Sequence, residues 1–214
     1  MRKAIDRKIR KIIDIAWEGY IHQVALGTVN PHREAVMQFQ FMVILQNLFP
    51  LFLFREGETI SLVPEYPLQQ KSVDVTVLYT LDEIQYIYPI EMKCSKFSSY
   101  GEISKKSKSG IQWMHGYWKD IARLEEFTQL ADVGFCTHLA FTDDVARITG
   151  KHQGKVVKTF STNQGKVVSG LLHSDKHGSK FTSIHLKGTY TMNWRQIGQH
   201  YFIRQEIRKP EQHH

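Results

Sequence analysis

The sequence predicts an α/β chain in which a helix, a series of strand-like runs, a second helix and a further strand follow one another, with a helix before this block and β segments after it. Two observations carry this. Residues 73–79 and 84–94 alternate apolar and polar side chains with the period of two that marks a strand. Residues 5–20, 30–49 and 109–130 repeat apolar side chains near helical spacing instead.

The first helix shows Ile5, Ile9, Ile12, Ala16 and Tyr20 on one side, with Arg2, Lys3, Arg7, Lys8, Arg10 and Lys11 crowding the rest. A second helix is expected to open at Asn30-Pro31, because Asn caps helices well and Pro is tolerated at the first helical position. Val36, Phe39, Val43, Leu45 and Leu48 then supply its apolar positions, and Pro50 ends it. Strand-like runs follow at 51–54 and 59–63. The next two strands carry Val73, Val75, Val77 and Tyr79 on one face, and Ile84, Tyr86, Tyr88, Ile90, Met92 and Cys94 on another. A turn through Thr80-Leu81-Asp82-Glu83 would pair them, although it lacks the Asn-Gly or Asp-Gly of the tightest hairpins. The helix at 109–130 shows Trp113, Tyr117, Ile121, Leu124 and Phe127, and 134–142 reads as a strand.

The chemistry lies in three residues of the paired strands. Asp74 points away from the valine face, and Glu91 and Lys93 share the face opposite Tyr88 and Ile90. A hairpin would bring the two acids and the lysine together. An acid-x-lysine triplet occurs by chance about once in a chain of ordinary composition, and Asp6-Arg7-Lys8 is a second example here. Strand context and a second acid upstream set Glu91-Met92-Lys93 apart, because a charge in an apolar strand is costly unless paired or metal-bound. The plainer alternative is a structural ion pair between Glu91 and Lys93.

This arrangement resembles the PD-(D/E)XK nuclease superfamily, with Asp74 and Glu91 as its acids and Lys93 as its lysine. Val73 stands where the family name has proline. The resemblance spans roughly residues 30–145. It implies a restriction-endonuclease-like core, a central mixed β-sheet flanked by helices in the order helix, three strands, helix, strand. The length suits a single domain, 1–214, in which the N-terminal helix and β additions after about residue 146 extend that core. The resemblance also implies a Mg²⁺-dependent endonuclease that hydrolyses DNA phosphodiester bonds, in which Mn²⁺ substitutes, with Asp74 and Glu91 as metal ligands and Lys93 stabilising charge at phosphorus. Glu34 would add a ligand or hold a metal-bound water; equally, it is a carboxylate placed favourably near a helix N-terminus. Gln112 and Tyr117 resemble a glutamine and tyrosine of some family branches at a spacing one residue longer, and Tyr117 also reads as core.

Composition bounds the rest. The chain has 214 residues, a net charge of +7 and a pI near 9.3, which suits a polyanionic partner. Lys96, Lys105, Lys106 and Lys108 follow the motif in a segment rich in Ser, Lys and Gly, placed to grip DNA phosphates. Cutting both strands of a duplex suits a homodimer. Cys94 and Cys136, both in strands, read as buried free thiols of a reducing, cytoplasmic setting. The charged N-terminus reads as no secretory signal, and no apolar run is expected to be long enough for a bilayer, so no membrane partner is expected. In the last third, Val156 to Val168 could form a hairpin, and His173 with His177 sits in loop-forming sequence rather than on a metal-binding helix. A non-catalytic DNA-binding module on the same fold, and an interaction domain whose basic charge is incidental, are the competing classes.

Overall fold

The computed structural model describes residues 1–95, 110–150, 155–173 and 181–209, with the backbone alone at 155–157. Its centre is a mixed six-stranded sheet flanked by helices. Helix α1 (Arg2–Ala25) buries the predicted Ile5, Ile9, Ile12, Ala16 and Tyr20. Helix α2 (Glu34–Leu48) follows, running into a 3-10 turn at Phe49–Phe52. Strands β1 (Thr59–Leu68), β2 (Lys71–Leu81) and β3 (Ile84–Ser95) form an antiparallel meander. Helix α3 (Gly110–Phe127) then crosses over, so that β4 (Cys136–Thr142) pairs parallel to β3.

Two short helices, α4 (Val145–Thr149) and α5 (Lys155–Phe160), lead to β5 (Val167–Leu172) and β6 (Ile184–Thr191), which make a separate two-stranded sheet. Strands β7 (Arg195–Ile197) and β8 (His200–Ile207) return to the main sheet, whose order is β1-β2-β3-β4-β8-β7.

Two cores follow from strand alternation. Val75, Val77, Tyr79, Tyr88, Ile90, Met92 and Leu139 pack against α1 and α2. Ile87, Cys136, Ala140 and Ile203 face the other way, against α3 and the β5–β6 pair. Ion pairs hold α1 to the far side of the sheet: Arg10 meets Glu206 at 2.7 Å and Arg204 meets Asp14 at 2.9 Å. Three of the six N-terminal cations are thus in structural use, since Lys8 binds the buried Glu58 and Arg2 donates to the Ala131 and Val133 carbonyls.

Several expectations change. Helix α2 starts at Glu34, capped by extended Arg33 with no side-chain hydrogen bond, rather than at Asn30. Asn30 and Pro31 belong to a turn, where the Asn30 carbonyl accepts from the His32 amide. Met37, Phe41 and Leu45 face inward, while Phe39 and Val43 from the expected stripe are exposed. The helix is apolar nearly all round, so periodicity could not select its inner face. Residues 51–54 are not a strand: Pro50 favours the 3-10 turn instead. The segment Glu34–Phe52 is, by length and composition alone, apolar enough to cross a membrane, contrary to the expectation, with only 22% of that stretch buried. Val156 to Val168 is not a hairpin: 155–160 is helical, and β5 pairs with β6 instead. His173 lies against Ser183 at 2.6 Å. His177 and the Gln153-Gly154 pair lie outside the described residues. Cys136 is buried and Cys94 half-buried, and neither forms a disulfide.

Candidate active site

The two expected acids meet where β2 parts from β3. Their ladder runs from Leu81↔Ile84 to Val75↔Ile90 and stops. One residue further on, the Asp74 carboxylate takes the Met92 amide at 2.7 Å in place of a backbone partner. Across β1, the residue facing this point is Glu65, whose φ of 51° bends that strand as well. Strand β3 continues alone with β4, placing Glu91 beside His138 and Lys93 beside Ala140.

Strand alternation turns Glu91 and Lys93 toward α3, which meets both. Asp120 accepts from Lys93 Nζ at 2.9 Å and from Arg123 Nη2 at 3.2 Å. The same Arg123 nitrogen reaches Glu91 Oε2 at 2.6 Å. One helical carboxylate therefore links both β3 residues. Gly116 makes room for this: a Cβ there would lie 3.3 Å from Lys93 Cε, in the path of the lysine stem. Glu34, at the first turn of α2, accepts from the Cys94 amide at 3.2 Å and lies 3.9 Å from Lys93 Nζ. It borders the site rather than joining the acid pair. Among the described residues, no group of three or more His, Cys, Asp or Glu side chains is gathered as for a metal ion.

Four carboxyl groups (Glu34, Asp74, Glu91, Asp120) thus face two cations (Lys93, Arg123), a formal excess of two negative charges when all are ionised. The buried residues answer this differently. Burial and the neighbouring Asp74 charge push Glu91 up to about 9, with Arg123 opposing them. Burial likewise raises Asp74, against the Met92 amide and its hydrogen bond with Glu91. Asp120 is held below the usual carboxylate range: burial opposes its charge, but His138 and Lys93 outweigh it. Burial also works against the Lys93 charge, and the carboxylates of Asp120 and Glu34 more than compensate. Burial lowers His138, whose Nε2 stands 4.0 Å from Asp120 Oδ2.

The sequence places Asp74, Glu91 and Lys93 together, and the structure does too. The plainer alternative, a Glu91–Lys93 ion pair, is not seen; each residue has its own partner on α3 instead. The cleft is also more closed than expected. Glu91 is 2% exposed and the Lys93 side chain 14%, against 37% for Glu34, so the group opens on the α2 side. Tyr117 is fully buried in the core, and Gln112 lies exposed on the first turn of α3. Lys96, Lys105, Lys106 and Lys108 lie outside the described residues.

Asp120, Arg123 and His138 were not foreseen. A signal for Asp120 existed: it interrupts the buried spacing Trp113, Tyr117, Leu124, Phe127 at a core position. His138 sits at the centre of β4, every residue of which is buried. Arg123 gave none, because its role depends on which strand faces α3.

This geometry defines a class, a mixed-sheet α/β protein with a buried carboxylate pair and a lysine at a strand junction. Comparisons with protein-family models, curated proteins and solved structures return no match to the chain.

Proposed function

We propose that this chain is a Mg²⁺-dependent nuclease with a restriction-endonuclease-like core, hydrolysing DNA phosphodiester bonds. The observation that carries the reading is the Asp74–Glu91 pair, two carboxyls near enough to shift one another beside Lys93, with a local excess of negative charge. Support comes also from the order α2, β1, β2, β3, α3, β4 with β4 parallel to β3, the order that the resemblance to the PD-(D/E)XK nucleases implies.

The residues present suit a hard divalent cation. Glu91 Oε1 is buried without a donor, and oxygen ligands with retained waters are what Mg²⁺ takes. Asp74 and Glu91 would hold the ion. Bound there, it would acidify a water and polarise the phosphate. Lys93, oriented by Asp120, supplies a fixed positive charge beside the pair, where it stabilises the negative charge that builds on phosphorus. Arg123 neutralises Glu91 when no ion is present and offers a second cation to the phosphate.

The test is Mg²⁺-dependent nicking of plasmid DNA. Asp74→Ala, Glu91→Gln and Lys93→Ala should each lower cleavage by about 10²–10³-fold or more while far-ultraviolet circular dichroism is unchanged. Wild-type rates in all three variants would remove these residues from catalysis. A second reading rests on a specific observation. Glu91 and Lys93 are each engaged in an internal ion pair, as they would be in a non-catalytic DNA-binding module. Salt-dependent DNA binding without cleavage in Mg²⁺ or Mn²⁺ would favour that module.

A further inference from the structure

The α1–α2 layer leaves one surface that neither core nor site uses. Residues 35–54 carry no charged side chain. On their outer side Phe39 is 68% exposed, Val43 41%, Leu51 63% and Phe54 76%. Single exposed apolar residues are ordinary, but four along one helix, its following turn and the residues just beyond form a stripe. Cations bracket it. Arg33 and Arg55 are exposed at its two ends, and Arg7 and Lys11 are exposed on α1, which lies beside α2 on the same face of the sheet. None of these four cations takes part in an ion pair among the described residues, whereas the acids of α1 at Asp14 and Glu18 are engaged by Arg204 and Arg195. Glu56 is the exposed acid nearest the stripe in sequence.

We propose that the outer face of the α1–α2 layer docks on an anionic lipid surface, with Phe39, Val43, Leu51 and Phe54 entering the acyl boundary and Arg7, Lys11, Arg33 and Arg55 meeting the headgroups. Apolar side chains flanked by Lys and Arg are what an interfacial helix presents. The other occupants suit the surface less well. A second copy related by two-fold symmetry would set the same cationic patch against itself. A nucleic acid would engage the cations but gain nothing from an uncharged stripe. The inference replaces the expectation of no membrane partner and does not rest on the nuclease reading.

The test is cosedimentation of the full chain with large unilamellar vesicles. Vesicles of phosphatidylcholine containing about a third phosphatidylglycerol should pellet the protein, and phosphatidylcholine alone should bind it about tenfold more weakly, as should about 0.5 M NaCl. The double variant Phe39→Ser, Val43→Ser should lose about tenfold in vesicle affinity, and Arg7→Glu, Lys11→Glu a similar factor. All four positions are exposed, so circular dichroism should match the wild type. The proposal is overturned if the wild type stays in solution with anionic vesicles, or if both double variants pellet as it does. It is also overturned if the wild type is a dimer that Phe39→Ser, Val43→Ser dissociates, which would give the stripe to a second copy. Loss of affinity for a short DNA duplex by Arg7→Glu, Lys11→Glu with vesicle binding intact would assign the cations to nucleic acid.

Discussion

Glu58 and Glu91 are both buried carboxyl groups, and their surroundings send them in opposite directions. At Glu58 burial opposes the charge, but the Lys8 ammonium, the Tyr79 hydroxyl and the amides of Phe54 and Arg55 overcome it and hold the group at about 2. Glu91 has a second carboxylate for a neighbour and one arginine, and it rises to about 9. The folded pKa of Glu58 lies below the unfolded value near 4.5. Its contribution to stability is therefore complete above about pH 4.5 and is lost as pH falls toward 2. Glu58→Gln should cost about 2 kcal/mol at neutral pH and should lose less than the wild type across that acid window. Urea unfolding at a series of pH values measures this, and parallel acid limbs in the two proteins would contradict it. Of the site, the three motif residues were legible because spacing along a strand is a local property. Their partners Asp120 and Arg123, 27 and 32 residues beyond Lys93 and Glu91, were not, because which charge meets which depends on how α3 lies over the sheet.

At the scale of elements, two hairpins are made without glycine. Gln69 and Gln70 join β1 to β2, and Asp82 and Glu83 join β2 to β3; all four have φ between 49° and 66°. Two-residue hairpins whose central residues are both left-handed match the twist of the strands, but a left-handed non-glycine residue costs about 1–2 kcal/mol. Glu83→Gly should therefore stabilise the protein by about 0.5–1 kcal/mol after the greater flexibility of the unfolded chain is allowed for. An unchanged or lower urea midpoint would show that Glu83 is not strained. The weak turn signal in the sequence is explained by these residues: the strands dictate the turn, and side chains without a left-handed preference submit to it. Helix α2 shows the same limit. Its apolar residues lie on every side, so the inner face of Met37, Phe41 and Leu45 was chosen by α1 and the sheet.

Across the whole molecule, Gly134 marks the place where separate elements close on one another. Its amide donates to the Ile87 carbonyl at 3.0 Å, continuing the join between β3 and the chain leading to β4. A Cβ there would lie 2.3 Å from Tyr88 Cε1 and 2.7 Å from Asp6 Oδ1, so β3 and α1 both close over it. The Tyr88 hydroxyl donates to that same Asp6 carboxylate at 2.9 Å. Gly134→Ala should destabilise the protein by about 1–3 kcal/mol through overpacking, read as a lower urea midpoint; a neutral substitution would show that the three elements can separate without cost.

By itself the sequence determined the succession of helices and strands as far as α3 and β4, apart from residues 51–54, and the presence of Asp74, Glu91 and Lys93 on neighbouring strands. Both follow from side-chain periods that repeat over a few neighbouring residues. Tertiary structure decided which charge answers which, which side of α2 faces water, and that β5 pairs with β6 rather than with the segment before it. Those outcomes depend on strand register and helix phase between residues far apart in the chain, where a rotation of one residue exchanges inside for outside and local pattern carries no record of the choice.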